Sequence, residues 1–197
     1  MFKVFFVLVA YFLGAVPIGL LIARRYGHPD IRKEGSGNIG ATNVARVMGK
    51  RAGLITLTGD ILKGALPVLG VMWLIGTNNL EKQVWIALVG LASFLGHVFP
   101  IYLKFRGGKG VATATGVFSV LCPLAVLFNL LIFLFVVWRF RYASLGSISA
   151  AAAMPLLLFT LSDKRIYAIL AVIIAGLIFY RHKDNIKRLL RGEENRL

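Results

Sequence analysis

Residues 104–138 read KFRGGKGVATATGVFSVLCPLAVLFNLLIFLFVVW, a basic glycine-rich segment followed by an apolar run without a charged side chain. The apolar run is too long for one membrane-spanning helix, which needs about 20 residues, within a range of about 17–25. Pro123 lies inside the run, and proline can neither donate a backbone hydrogen bond nor sit without strain in mid-helix. We therefore predict two helices here, over 110–121 and 123–138.

The whole chain is unusually apolar. Hydrophobic residues make up 58% of it and the mean hydropathy is +0.78, whereas a soluble domain is about half apolar. The apolar residues form long runs, which one small soluble core cannot bury, so the bilayer is the expected solvent. We predict an all-α, polytopic membrane protein, a single domain over 1–197. Its helices, about seven, are expected at 2–23, 53–75, 84–103, 110–121, 123–138, 145–161 and 165–181.

The basic residues predict the orientation of these helices. The chain has 23 Lys and Arg against 8 Asp and Glu, a net charge of +15. With the N-terminus outside, the inside segments 24–52, 104–109, 139–144 and 181–197 carry 18 Lys and Arg, and the outside segments carry four. Cytoplasmic loops are enriched in these residues, so we predict an outside N-terminus and a cytoplasmic C-terminus. Little chain lies outside the membrane, which argues against a nucleic-acid partner.

The first polar segment is GSGNIGATNVAR, residues 35–46, which contains a formal G-x-G-x-x-G pattern. A dinucleotide fold would need a preceding strand, and none is predicted, so we reject that interpretation. Glycines still let backbone N–H groups approach an anion, and a following helix start adds its positive end. Ser36 and Asn38 can donate hydrogen bonds, and Arg46 can bind a phosphate through two parallel bonds. The alternative is a tight loop that only connects helices.

The second segment follows the third predicted helix and places Lys104, Arg106 and Lys109 among Gly107, Gly108 and Gly110. It lacks the glycine spacing and the Ser/Thr of a phosphate-binding Walker A loop. N–H groups at a helix start next to a lysine nonetheless predict an anion site. The alternative is ordinary positive-inside charge, which does not explain the interleaved glycines.

The third segment is RHKDNIKRLLRGEE, residues 181–194, directly after the last predicted helix. His182 and Asn185 lie three positions apart, so on a helix they can face one ligand. The alternative is a basic amphipathic tail lying on lipid. A weaker fourth segment leads into the sixth helix, where Ser144 is expected to cap the helix and Ser147, one turn on, can face a site.

The predicted membrane helices also contain the ionisable residues Asp60, Lys63 and His97. Asp60 and Lys63 share one face of a helix at a depth where ionised groups are costly unless paired or facing a wet cavity. They are either a structural pair or a support for the site. His97 lies among apolar residues, and we interpret it as a packed, hydrogen-bonded histidine.

Taken in order, Gly35–Arg46, Gly96–Pro100 with Lys104–Thr113, and Arg181–Glu194 resemble a known family. The chain is similar over essentially its whole length to the bacterial acyl-phosphate-dependent glycerol-3-phosphate acyltransferases. The resemblance implies transfer of a fatty acyl group from acyl phosphate to the 1-hydroxyl of glycerol 3-phosphate, giving lysophosphatidic acid. It places the phosphate of acyl phosphate on the glycine-rich turn after Arg106, and it implies a structural role for Glu193.

The resemblance and the residues together give the expected site. Catalytic roles are expected for Ser36, Arg46, Lys109, His182 and Asn185. Substrate contacts are expected from Gly37, Asn38, Thr42, Asn43, Lys104, Arg106, Gly107, Gly108, Gly110 and Ser147. The expected partners are acyl phosphate, glycerol 3-phosphate and membrane lipid, with no metal and no cofactor. We expect a monomer in the bacterial inner membrane with its site on the cytoplasmic side.

The residues present also bear on the mechanism. No His is followed five positions later by Asp, as in most other acyltransferases of the pathway, and no Ser–His–Asp triad or reactive Cys is evident. Direct transfer without an acyl-enzyme is therefore expected. The rival hypothesis is a transporter of an anionic lipid, against which stands the clustering of polar segments on one face, since transporter sites lie near the midplane.

Overall fold

A computed structural model describes residues 2–28 and 30–196, and within these residues the regular structure is entirely helical. Two short 3₁₀ turns, Ile31–Lys33 and Ile101–Leu103, lie between the α-helices. The α-helices are α1 (Phe2–Ala15), α2 (Ile18–Arg25), α3 (Ala41–Met48), α4 (Lys50–Ile75), α5 (Leu80–Val98), α6 (Val111–Leu121), α7 (Pro123–Phe140), α8 (Ala143–Leu161), α9 (Arg165–Arg181) and α10 (Lys183–Arg191).

Five segments of the described chain are long and apolar enough to cross a membrane. They are Lys3–Arg25, Lys50–Ile75, Leu80–Leu103, Pro123–Phe140 and Ala143–Leu161. There are six such segments if α9 and α10, which are bent by 58° at their junction, count as one span. Helix α6 is apolar but shorter. The predicted all-α membrane architecture is thus confirmed, while seven crossings and their orientation stay predictions.

The first predicted helix, 2–23, is broken in the structure. Helix α1 ends at Ala15 and α2 begins at Ile18, so Val16 and Pro17 lie between them. The cause is proline, which has no N–H to continue the ladder and pushes the preceding residue out of the helical region. The carbonyl of Val16 accepts a hydrogen bond from the Ile18 N–H at 3.0 Å.

The predicted helix 84–103 lies earlier in the structure, as α5. Asn79 caps its start by accepting a hydrogen bond from the Lys82 N–H at 2.9 Å. The helix stops at Val98, because Pro100 follows and cannot be accommodated in the helix. The segment 99–103 is therefore a turn that leads into the basic glycine-rich loop.

The chain divides into two compact units, Met1–Val117 and Phe118–Leu197, and a single domain over the whole chain stays a prediction. In the first unit α1 and α5 touch backbone to backbone. A Cβ on Gly14 would lie 2.0 Å from the Ser93 carbonyl oxygen, and one on Gly96 would lie 2.2 Å from that of Tyr11. Small residues allow such close approach in membranes, where apolar side chains gain nothing by leaving lipid.

In the second unit α8 packs against both α7 and α9. A Cβ on Gly146 would lie 2.7 Å from a methyl carbon of Val137, so this glycine sets the spacing of α7 and α8. Only 6% of α7 is buried within the protein, and its exposed side chains are mainly Leu and Phe. Such a surface is suited to lipid.

Candidate active site

The first glycine-rich loop is organised by the side chain of Asn43. Its Oδ1 atom accepts a hydrogen bond from the Ser36 N–H at 2.7 Å. Its Nδ2 atom donates to the carbonyls of Asn38 at 2.9 Å, Glu34 at 3.0 Å and Ile31 at 3.3 Å. Asn43 is 1% exposed, and the amide orientation is fixed because only nitrogen can face three carbonyls. Asn43 therefore holds the loop together, and its substrate contact stays a prediction.

Two glycines allow the loop to close around this amide. Gly35 and Gly37 have φ values of +56° and +71°, in the left-handed region that other residues rarely adopt. A Cβ on Gly35 would also lie 2.3 Å from the Asn43 Oδ1 atom. Asn38 closes the turn, since its Oδ1 atom accepts a hydrogen bond from the Gly40 N–H at 2.8 Å.

The polar side chains at the surface of this loop are those predicted to meet substrate. Ser36 is exposed, and so are Thr42 and Arg46 on α3. Thr42 and Arg46 are four residues apart, so they lie on one face of the helix. The face with Asn43 and Val44 is buried. The exposed side of the loop and of α3 therefore carries two hydroxyl groups and a guanidinium, while the buried side holds the loop backbone in place.

An ion pair and a histidine–carboxylate contact lie at the base of the loop. Asp30 and Arg32 are joined by two parallel hydrogen bonds of 2.7 and 2.8 Å, and the bond from Arg32 lowers the pKa of Asp30 to about 2. His28 lies 3.0 Å from the Glu34 carboxylate. The Arg32 guanidinium is therefore engaged by a carboxylate.

The second glycine-rich loop packs directly on the end of α5. The N–H groups of Gly107 and Gly108 donate to the carbonyls of Val98 and His97, at 3.2 and 3.1 Å. A Cβ on Gly107 would lie 2.1 Å from the His97 carbonyl oxygen. The N–H groups of these two glycines therefore hold the loop to α5, and their contacts with a substrate phosphate stay predictions.

Anion-binding capacity is left to the start of α6 and to the basic side chains. The Gly110 carbonyl accepts the Ala114 N–H at 2.8 Å, so the helix begins here with the unpaired first-turn N–H groups that any helix start has. Lys104 and Arg106 are exposed, and Lys109 is half-buried. Lys104 has a φ of +50°, an uncommon conformation outside glycine that turns the chain sharply.

One hydrophobic cluster lies beneath both loops. Ile31, Ile39 and Val44 belong to it from the first loop and α3. Leu103, directly before Lys104, packs against the same cluster. The structure thus brings the two glycine-rich loops onto a common support within the first unit.

In the second unit the Glu194 carboxylate accepts hydrogen bonds from three polar side chains. The Glu194 Oε1 atom accepts hydrogen bonds from Ser144 at 2.7 Å and from Asn185 at 2.6 Å, and its Oε2 atom accepts from Arg188 at 2.7 Å. The Glu194 side chain is 6% exposed. Burial disfavours its charged form, but the three hydrogen bonds outweigh burial and lower the pKa of the carboxyl below its ordinary value.

This cluster corrects two expectations. The structural role that the resemblance implied for Glu193 belongs to Glu194, and Glu193 is exposed. Ser144 was expected to cap α8, but Tyr142 is the residue at that position. The Ser144 hydroxyl is inside the helix and donates to Glu194. Sequence reasoning thus did not predict the hydrogen bond between Ser144 and Glu194 or the central place of Glu194 in this cluster.

His182 sits at the 58° bend between α9 and α10 and is 2% exposed. Its Nδ1 atom lies 2.8 Å from the Ile178 carbonyl oxygen. Because a carbonyl only accepts, Nδ1 carries the proton, and in the neutral ring Nε2 then carries the lone pair. Asn185 is similarly fixed, since donation from Nδ2 to Glu194 leaves its Oδ1 atom as an acceptor. Ser147, by contrast, donates to the Ala143 carbonyl of its own helix at 2.9 Å.

Comparison with known proteins identifies the family. The model of the family described as glycerol-3-phosphate acyltransferase matches residues 4–192. A glycerol-3-phosphate acyltransferase of Geotalea daltonii is 51% identical over 94% of this chain and 93% of its own length. The chain belongs to the glycerol-3-phosphate acyltransferase family. The predicted family is thereby confirmed, and with it the prediction of an enzyme.

Solved structures of PlsY (YgiH), an integral membrane glycerol 3-phosphate acyltransferase, extend this comparison. Its glycerol 3-phosphate form superimposes with a TM-score of 0.93 at 41% identity, covering 100% of this chain and 96% of PlsY. Its lysophosphatidic acid form superimposes with a TM-score of 0.92 at 40% identity and the same coverage. This acyltransferase chain therefore shares the fold of an integral membrane protein along its whole length.

Proposed function

We propose that the protein transfers a fatty acyl group from acyl phosphate to the 1-hydroxyl of glycerol 3-phosphate. The products are lysophosphatidic acid and inorganic phosphate. The observation that carries the proposal is the likeness to PlsY, solved with glycerol 3-phosphate and with lysophosphatidic acid. The acyl phosphate donor is supported by the sequence resemblance and by the basic, glycine-rich loop before α6, which suits a phosphoryl group.

The first loop is proposed to hold glycerol 3-phosphate. Arg46 can bind its phosphate bidentately, and Ser36, Thr42 and Lys104 add hydrogen bonds and charge from exposed positions. Asn43 holds the loop closed and, with Asn38, positions it. Gly37 contributes through its backbone conformation.

The second loop is proposed to hold the donor phosphate. Lys109 and Arg106 supply positive charge, and the first N–H groups of α6, from Gly110 onward, face the anion. Gly107 and Gly108 act through shape, because their missing side chains let the loop lie against His97. Preorganised charge of this kind favours a transition state in which charge grows on the departing phosphate.

Transfer is proposed to be direct. The oxygen of the glycerol 1-hydroxyl forms a bond to the acyl carbon while the bond from that carbon to the phosphate oxygen breaks. His182 through Nε2 and Asn185 through Oδ1 orient the hydroxyl, and the departing phosphate takes its proton. Acyl phosphate is a mixed anhydride with a good leaving group, so positioning and electrostatics suffice without a covalent intermediate.

The membrane arrangement is proposed to have seven crossings, with the N-terminus outside. Helix α6, with 11 residues, is about 16 Å long and is shorter than the hydrocarbon core of about 30 Å. Unless α6 crosses, however, the basic ends at 104–109 and 139–144 would lie on opposite sides, against the positive-inside rule. The protein is then a monomer in the inner membrane, with its site facing the cytoplasm.

Purified protein with palmitoyl phosphate and glycerol 3-phosphate tests the reaction. Phosphate release that requires both substrates, together with formation of lysophosphatidic acid, is expected. Release from palmitoyl phosphate alone would point to a hydrolase. Rapid quenching should find no acylated side chain, and a trapped acyl-enzyme would refute direct transfer. For the topology, Arg141→Cys in a Cys122→Ala background should react with a membrane-impermeant thiol reagent only from the cytoplasmic face.

A further inference from the structure

Three ionisable side chains meet inside the apolar helices of the first unit. Asp60 on α4 is 3% exposed, Lys63 one turn later is 8% exposed, and His97 in the last turn of α5 is 4% exposed. The Asp60 Oδ1 atom lies 2.9 Å from Lys63 Nζ and 3.5 Å from His97 Nδ1. Ionisable residues at this depth are costly, so they are retained where they serve a function.

The lysine of this cluster is held by backbone as well as by the carboxylate. Lys63 Nζ donates to the Val16 carbonyl at 2.9 Å, at the break between α1 and α2. The Ser93 hydroxyl donates to the Lys63 carbonyl at 2.6 Å. The α1–α2 break, α4 and α5 are therefore joined at this point by directional contacts, which hold the Asp60 carboxylate in place 3.5 Å from His97 Nδ1.

The histidine connects this cluster to the second glycine-rich loop. A Cβ on Gly108 would lie 2.2 Å from His97 Nε2 and 3.0 Å from Cε1, so the Nε2 edge of the ring lies directly against this glycine. The His97 carbonyl also accepts the Gly108 N–H at 3.1 Å. The Nδ1 edge of the imidazole thus lies near a buried carboxylate, and the Nε2 edge supports the loop proposed to hold the donor phosphate.

We propose that His97, oriented by Asp60 and Lys63, is a positioning residue that sets the position of the Gly107–Gly110 loop relative to the end of α5 for binding acyl phosphate. This inference rests on the proposed function and names a residue beyond those assigned to it. The glycine at 108 and the histidine at 97 form a matched pair, since either a larger residue at 108 or a smaller one at 97 changes where the loop lies. The other members of the cluster fix the ring, because rigid supporting contacts determine how accurately a binding loop is held.

Two substitutions separate this role from a merely structural one. His97→Asn keeps an amide near Asp60 but removes the atoms beneath Gly108. It should raise KM for palmitoyl phosphate about tenfold, the loss of about 1.4 kcal/mol, while KM for glycerol 3-phosphate changes less than about twofold. His97→Gln reaches the place of Nε2 and should restore most of the donor affinity. Thr56→Val is the control, because Thr56 is buried on α4 and its hydroxyl bonds only its own helix, at Ala52.

The outcomes distinguish the two proposals. If wild-type protein does not release phosphate with both substrates, the proposed reaction is wrong. The positioning role is then judged by hydrogen exchange in the 104–113 segment, where His97→Asn should exchange faster than both wild type and Thr56→Val. Unchanged exchange overturns the positioning role whatever the activity. An equal rise in both KM values, or a lower unfolding temperature with both KM values unchanged, also overturns it.

Discussion

Asn43→Asp should loosen the first glycine-rich loop while preserving its shape. The carboxylate is isosteric with the amide and can still accept the Ser36 N–H, but it has no hydrogens for the carbonyls of Ile31, Glu34 and Asn38. An amide nitrogen has two protons, so two good hydrogen bonds are lost. At about 1 kcal/mol for each bond, the closed loop loses about 2 kcal/mol.

A loss of this size should appear in the binding of glycerol 3-phosphate. If the closed loop is the binding form, about 2 kcal/mol corresponds to a rise in KM of about thirtyfold. KM for palmitoyl phosphate should change far less. Initial rates of phosphate release, with each substrate varied in turn, measure both values in detergent micelles.

The matched control is Asn78→Asp, which makes the same chemical change on an exposed side chain in the α4–α5 connection. It should leave both KM values within about twofold of wild type, because Asn78 is on the surface and a carboxylate there can still accept the hydrogen bond from Lys82 Nζ. An Asn43→Asp protein with wild-type KM for glycerol 3-phosphate would show that the amide network does not control this loop.

Three further changes test other parts of the site. Gly108→Ala should raise KM for palmitoyl phosphate about tenfold, because overpacking typically costs about 1–3 kcal/mol. Gly70→Ala is the control and should leave this KM unchanged, since a Cβ there would have no atom within 4 Å. Equal effects of the two substitutions would contradict the overpacking argument. Arg46→Lys should raise KM for glycerol 3-phosphate about tenfold by losing one of two parallel bonds, and an unchanged KM would remove Arg46 from the phosphate site. Glu194→Gln should lower the unfolding temperature at pH 7, but progressively less below pH 4.5. The pKa of Glu194 is lowered in the folded protein, so the stabilisation by its carboxylate is complete above the ordinary pKa of 4.5 and is lost as the pH falls through the pKa of the folded state. Glu193→Gln is the control, and a pH-independent difference would refute the electrostatic role.

The membrane helices were predictable because they depend on run length and hydropathy, which the sequence shows directly. Their ends were less so. The break at Val16–Pro17 lies in an uninterrupted apolar run, so its proline was passed over, and the start of α5 depends on the Asn79 cap rather than on the first apolar residue. Local hydrogen bonding, not hydropathy, sets these boundaries.

The site residues were predictable by type but not always by role. Asn43 has the composition of a ligand-binding residue, and only the folded loop shows that its amide faces inward. Glu193 and Glu194 are adjacent and chemically identical. The choice between them is made by Gly192, whose φ of +72° turns the chain after α10, and a residue pattern does not specify that turn. Ser144 was misplaced because α8 begins two residues earlier than its apolar run indicates.

The break between α1 and α2 should make positions 17 and 63 covary among related sequences, because the two are coupled in the structure. Pro17 leaves the Val16 carbonyl turned toward Lys63. A chain that replaced the proline with alanine would gain regular helix and remove this backbone acceptor from the buried Lys63 ammonium, which would keep Asp60 as its partner. Substitutions at 17 and 63 should therefore be tolerated in pairs more readily than singly. In a collection of natural or selected sequences, an intact first helix should accompany an uncharged residue at position 63.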